Sequence, residues 1–249
     1  LPICMVYSVN DATSVYANWG RTFQILTGSR APAYITSANQ ATFAPSINTG
    51  TELGVKFKPH PHTDLRVAVW QQDATDEVAN MPSTGTNVSL GETRRKGIDL
   101  QASTRIGSAV TLWASHSVQE AKVRRAFTAS GTSLAGKEVF STPRHITNAG
   151  VDYQATEALR LGLQARAQGS YFIDDLNAQG KFGDFVLVDF NARYALTKAV
   201  SVDLQVKNLT NRKFAYVWWD NFFWPAGSAQ PMYSPGAGRS AFVSLNVKW

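Results

Sequence analysis

The sequence predicts an all-β protein whose antiparallel strands run as a meander in a transmembrane β-barrel. Three observations carry that reading. Apolar and polar side chains alternate along most of the 249 residues. The alternating segments are joined by short turns and long loops in strict succession. The polar sides carry Asp, Arg, Gln and Asn, whereas the apolar sides carry Tyr and Trp near strand ends, where interfacial girdles place them.

Taken in order, a partial strand is expected at about 3–9. It is followed by "SVYANWGRTF" (14–23), "TELGVKFK" (51–58), "LRVAVWQQ" (65–72), "GIDLQASTRI" (97–106), "VTLWASHSVQ" (110–119) and "NAGVDYQAT" (148–156). The last four are the clearest. In "RLGLQARAQGSY", Leu161, Leu163, Ala165, Ala167 and Tyr171 oppose Arg160, Gln164, Arg166 and Gln168. In "VDFNARYAL", Val188, Phe190, Ala192 and Tyr194 oppose Asp189, Asn191 and Arg193. "VSVDLQVKN" sets Val200, Val202, Leu204 and Val206 against Ser201, Asp203, Gln205 and Lys207. "RSAFVSLNVKW" does the same, with Phe242 the one large apolar side chain on its polar side. These make eleven strands. The connectors at 10–13, 59–63, 107–109, 156–158 and 197–199 are short, and those at about 24–47, 73–87, 123–143, 172–184 and 217–238 are long. All long excursions therefore leave from one end, as in outer-membrane barrels, whereas a soluble sandwich with such loops at one end would be unusual.

Composition narrows the function classes. Uninterrupted apolar runs fall far short of the about 20 residues a spanning helix needs. The formal charge is +6, but its densest cluster is only "RRK" at 94–96, with no nucleic-acid motif, so no nucleic-acid partner is expected. The one cysteine, Cys4, leaves no internal disulfide framework and no multi-Cys metal site. His60 and His62 in "PHPHT" lack a third ligand, and His116 and His145 are isolated, so turn chemistry is expected rather than a metal site or a catalytic residue. The opening "LPICMVYSVN" does not read as a signal peptide, and the odd strand count suggests a piece of a longer barrel.

The C-terminal region carries a family resemblance. A strand ends in Asn208-Leu209-x-Asn211-x-x-Phe214, a loop follows, and Gly238-Arg239 opens a last strand that ends on the aromatic Trp249. This resembles the C-terminal region of TonB-dependent outer-membrane receptors, in which the terminal residue is more often Phe. "SVYANWGRTFQ", "INTGTELGVKFK", "VSLGETRRKGIDLQAS" and "FVLVDFNARYAL" are similar to successive earlier strands of that barrel. The resemblance implies that residues 1–249 are the C-terminal portion of a barrel domain of about 22 strands, with the N-terminal plug domain absent. It implies a receptor in the bacterial outer membrane that binds a ferric siderophore, or a similar scarce nutrient, and imports it with energy coupled through TonB and the missing plug. The expected partners are outer-membrane lipid, the iron–siderophore complex and TonB. No resident cofactor and no enzymatic activity are expected. The rival readings are a complete ten- or twelve-stranded outer-membrane protease or lipase, and a soluble β-sandwich binding module.

The site expectations follow from that resemblance. The motif at Asn208, Leu209 and Asn211 is expected to shape a strand end, since Asn bonds local backbone where a strand bends. Arg160, Arg166, Arg193, Asp189 and Asp203 are expected to face a watery lumen, where they could attract an anionic chelate, pair with one another or bond the plug. "WWDNFFWP" places five aromatic residues in eight positions. Trp218, Trp219, Phe222, Phe223, Trp224 and Tyr233 could form a stacking platform for ligand. Alternatively, Trp218 and Trp219 belong to the outer girdle and the rest pack the loop.

Overall fold

The computed structural model describes residues 2–24, 45–81, 86–128, 131–220 and 230–248. The chain opens with β1 (Ile3–Asn10), β2 (Thr13–Gln24), β3 (Ser46–His60) and β4 (Thr63–Thr75). A small hairpin, β5 (Val78–Met81) and β6 (Thr86–Ser89), precedes β7 (Glu92–Ile106), β8 (Val110–Arg125), β9 (His145–Gln154) and β10 (Leu159–Gln168). A second small hairpin, β11 (Tyr171–Phe172) and β12 (Lys181–Phe182), leads to β13 (Phe185–Ala195) and β14 (Val200–Lys207). The third hairpin, β15 (Ala215–Asp220) and β16 (Gln230–Pro235), precedes β17 (Ser240–Val247).

Eleven strands form one antiparallel sheet in the order β1-β2-β3-β4-β7-β8-β9-β10-β13-β14-β17. Each long strand therefore pairs with its neighbours in sequence, skipping only the loop hairpins, which pair within themselves. This is the expected meander, and no second large sheet packs against it among the described residues, which removes the sandwich alternative. Several strands run beyond their expected bounds: β3, β7 and β8 continue well past the alternating cores toward the long loops.

The short turns are closed by side chains suited to that work. Asn10 Oδ1 accepts the Ala12 amide at 2.9 Å. Thr156 Oγ1 accepts the Leu159 amide at 3.0 Å, and Thr197 Oγ1 accepts the Val200 amide at the same distance. Gly107 takes a φ of +59° in the turn between β7 and β8, where a side chain would strain the backbone.

Register sorts the two faces. Lys56, Arg66, Gln101, Ser115, Asn148 and Arg166 are successive cross-strand partners and form one polar row. The adjacent row on the opposite face runs Val15, Val55, Val67 and Leu100, then reaches His116 and Thr147, whose side chains bond each other at 2.8 Å. His116 also stacks on His145, with ring centroids 5.9 Å apart. The apolar face is bare: Met5 is 67% exposed and Val243 72%. So extensive an apolar surface marks contact with lipid or another apolar partner.

The polar face has its own packing. Tyr16 lies over its cross-strand partner Gly54, Trp70 over Gly97 and Trp113 over Gly150. A Cβ on Gly97 would meet the Trp70 ring at 2.7 Å, so these glycines make room for rings laid flat on the wall. Among the described residues, two small buried clusters form near the long-loop end, around Leu134 and Ile173.

Candidate ligand-binding rim

The loops at one end are built on the wall beneath them. After β8 the chain turns back along its own strand, with the Leu134, Gly136 and Val139 amides bonding the carbonyls of Ala126, Val123 and Ala121 at 2.9–3.0 Å. This buries Leu134 with Leu90, Ala121, Val123 and Ala126. Full burial of a leucine contributes about 1.5–3 kcal/mol, which holds the loop down without a strand ladder.

Glu138 joins this loop to the next. Its amide donates to Asn177 Oδ1 at 2.7 Å, its carbonyl accepts from Asn177 Nδ2 at 3.0 Å, and its carboxylate meets Arg144 at 2.7 Å and Lys181 at 3.2 Å. The second loop is joined to the third in turn. Tyr171 OH accepts the Val217 amide at 3.1 Å, and the Trp219 amide donates to the Ile173 carbonyl at 3.3 Å. Tyr171 was expected on the apolar face of β10. Instead β10 ends at Gln168, and the Gly169–Ser170 break releases Tyr171 into a buried loop position.

The third loop carries most of the aromatic candidates. Trp219 packs against the Tyr171, Ile173 and Val217 cluster. Trp218 points to the other side of β15 and is 39% exposed, while Tyr233, paired across the hairpin with Val217, is 54% exposed. Phe222, Phe223, Trp224 and Trp249 lie outside the described residues. β15 pairs only with β16, so Trp218 and Trp219 stand on a loop hairpin rather than on a strand of the wall. Phe214 and Tyr216 precede Trp218 on its side of the chain. Their rings meet Phe185, at 5.0 Å for Phe214 and 5.9 Å for Tyr216, and the Arg166 guanidinium sits over Phe185 at 5.2 Å. The hairpin thus reaches back over the polar face of β10 and β13.

Asn208 anchors both ends of this loop. Its amide donates to Asp189 Oδ1 at 2.8 Å, and Oδ1 accepts the Arg212 amide at 2.8 Å. Nδ2 donates to the carbonyls of Arg212 at 2.9 Å and Ala237 at 3.1 Å. Asn211 Oδ1 accepts the Arg239 amide at 3.0 Å, and Gly238 packs beside that oxygen. The Leu209 amide bonds the Val188 carbonyl at 2.6 Å, tying the corner to β13. Asn208 and Asn211 have φ of +49° and +52°, a conformation Asn tolerates better than other side chains.

The charged candidates are largely paired. Arg160 meets Asp152 at 3.1 Å, Arg193 meets Asp203 at 3.6 Å, and Asp189 meets Lys207 at 3.0 Å. Sequence reading did not anticipate the anchor at Glu77, which holds Arg95 at 2.7 Å and accepts the Thr93 hydroxyl at 2.6 Å. Burial opposes the Glu77 carboxylate, but the Arg95 and Thr93 hydrogen bonds and the Arg95 charge outweigh it and hold its pKa below the ordinary value. His60 and His62 lie 5.6 Å apart in the turn between β3 and β4, where His62 Nδ1 is 3.2 Å from Arg105. No cluster of three or more His, Cys, Asp or Glu suited to a metal occurs among the described residues.

Known proteins resemble this chain over nearly its whole length. Residues 5–209 match the family model described as "TonB dependent receptor-like, beta-barrel". The ferrichrome outer membrane transporter/phage receptor of Escherichia coli K12 is 25% identical over 232 residues, covering 88% of this chain and 29% of that protein. The ferrioxamine B receptor of Salmonella typhimurium is 23% identical over 219 residues, covering 84% of this chain and 30% of that receptor. The chain thus spans under a third of the length of these relatives. In fold it is similar to the ferric yersiniabactin uptake receptor of Yersinia pestis, with a TM-score of 0.75 at 18% identity, covering 99% of this chain and 36% of that one.

Proposed function

The chain belongs to the TonB-dependent receptor β-barrel family, and from that premise we propose that its parent protein captures a ferric siderophore at the cell surface and imports it. The family places these strands in the bacterial outer membrane, with the apolar face toward lipid and the polar face toward the lumen. The short turns then face the periplasm and the long loops the exterior. In this reading residues 1–249 are the C-terminal portion of the barrel. In this reading energy reaches the parent from TonB through a plug domain, and transport proceeds by regulated opening without covalent catalysis.

The observation that carries the proposal is the rim. Three successive exterior loops are joined by Glu138, Asn177, Tyr171 and Ile173 into one body, and its aromatic hairpin overhangs the charged inner wall. A ligand held there touches rings from above and cations from the side. Trp218, Trp219 and Tyr233, with Phe222, Phe223 and Trp224 of the same loop, supply the aromatic contacts in this reading. Two relatives are named for ferrichrome and ferrioxamine B, which supports an iron chelate.

Deleting the parent gene and supplying single ferric siderophores as the only iron source tests the proposal. Growth is expected to fail on one of them and to return with the intact gene. Iron uptake unchanged on every siderophore would defeat it.

A further inference from the structure

The outward face of the wall changes character abruptly toward the long loops. One row of cross-strand partners runs Met5, Ala17, Leu53, Val69, Ile98 and Val118. Two residues further along the same strands, on the same face, stand Thr51, Gln71, Lys96 and Glu120, and two further still stand Asp73, Arg94 and Lys122. Glu138 continues that last row as the bridge partner of Lys122. Two residues advance a strand by about 7 Å, or about 5 Å along the bilayer normal at a tilt near 45°. The charged rows thus stand about 5–10 Å above the last apolar row, the depth of a headgroup layer.

Each carboxylate of this belt is shared by two cations. Glu120 meets Lys122 at 3.0 Å and Lys96 at 3.5 Å. Glu138 meets Arg144 at 2.7 Å and Lys181 at 3.2 Å. Asp73 meets Arg94 at 2.6 Å and also feels the charge of Arg124, which follows Lys122 on the outward side of β8. Among the described residues of the belt, six cations therefore face three carboxylates, and positive charge is left over. Directly below, the wall is hollowed. A concavity of about 1060 Å³ is lined by Leu53, Val69, Ile98 and Val118, with Lys96 and Arg144 at its charged end.

An occupant that matches both parts is an amphiphile, apolar below and anionic above. A soluble acidic protein would match the cations but not the apolar hollow beneath them. We propose that belt and hollow form a site for one phosphorylated glycolipid of the outer leaflet, with an acyl chain along Leu53 to Val118 and a phosphate on Lys96, Lys122 and Arg144. The inference rests on the membrane orientation given above and is independent of what the loops capture.

The test immobilises the complete receptor in detergent free of divalent cations. It is offered lipid A carrying two phosphates or lipid A from which both have been removed, and the bound lipid is eluted and quantified by mass spectrometry. The phosphorylated lipid is expected to bind about tenfold more tightly, with the preference falling as salt rises. Lys96→Gln combined with Lys122→Gln should bring the two lipids within about twofold of each other. Lys198→Gln, in the short turn between β13 and β14 at the opposite end of the barrel, should leave the preference unchanged. Heat-modifiable migration on gels confirms that each variant is folded. Equal binding of the two lipids by the unaltered receptor overturns the proposal, as does an undiminished preference in the folded double variant. Displacement of the phosphorylated lipid by a soluble polyglutamate peptide would assign the belt to an acidic protein and overturn it too. A phosphate preference in a receptor that imports no iron would sink the transport reading and leave this site standing, and equal lipid binding in a receptor that does import iron would do the reverse.

Discussion

At Asn208 the chain leaves β14 with a positive φ, and one side chain then closes the loop that follows. Asn208 is 4% exposed, and its amide group serves Arg212 twice and Ala237 once. Truncation to Ala strands those backbone groups where little water reaches, at about 1–3 kcal/mol for each group left unpaired, and adds the strain of a positive φ. Asn208→Ala is therefore expected to destabilise the corner by about 3 kcal/mol. The loss should be local, because the ladder between β14 and β17 does not pass through this side chain. Limited proteolysis should cut within 209–238 far faster in the variant while the strands stay protected. Asn208→Asp keeps the acceptor and tolerates the backbone, so it should fall between the two. Equal protease resistance in Asn208→Ala and the unaltered chain would show that the corner is held by other means.

At the scale of single elements, each loop depends on one or two fixed groups, and Glu77 is the one that titrates. Its carboxylate meets Arg95 and Thr93 from β7, and its carbonyl accepts the Leu90 amide at 2.5 Å, so it closes the excursion between β4 and β7 at both ends. Because its folded pKa lies below the ordinary value, its contribution is fully present above the ordinary glutamate range. That contribution is lost as pH falls through the depressed folded value. The protection factor of the Leu90 amide, the ratio of its intrinsic to its observed exchange rate at the same pH, should fall on acidification below that range, and Glu77→Gln should show a low protection factor already at neutral pH with little further pH response. A high, pH-independent protection factor in the variant would rule out this anchor. Such anchors were not legible in the sequence. The strands were, because lipid on one side and water on the other write a period of two into Leu161 to Gln168 and Val200 to Lys207. At the Asn208 corner only the bonds to Arg212 are local; those to Asp189 and Ala237 cross 19 and 29 residues and were not legible. Glu77 with Arg95, and Tyr171 with Val217, are contacts between segments distant in sequence, and nothing in either segment alone names its partner. Phe185 looked like one more strand residue, and only the fold of the β15–β16 hairpin makes it the floor under Arg166.

For the whole molecule the central assignment is which side of the sheet meets lipid, and neighbouring residues of one strand can decide it. Leu204 stands on the apolar face between Ala192 and Val243, whereas Gln205 stands on the polar face between Asn191 and Phe242. Leu204 is the third of the four outward positions Val200, Val202, Leu204 and Val206, close to the middle of the membrane band. An arginine there must leave its charge in hydrocarbon or drag water inward, a cost of about 2–4 kcal/mol near the bilayer midplane. At Gln205 the same side chain enters a hydrated lumen, where cations such as Arg193 and Lys207 already lie on the same face of the sheet, and the cost should be near zero. Equilibrium folding of the complete barrel into lipid bilayers should therefore show Leu204→Arg losing about 2–4 kcal/mol and Gln205→Arg almost nothing. Two positions joined by a single peptide bond share strand propensity, depth and crowding, so only the face they present can separate them. Equal losses would mean that the two faces meet similar surroundings, and the reversed order would turn the wall inside out.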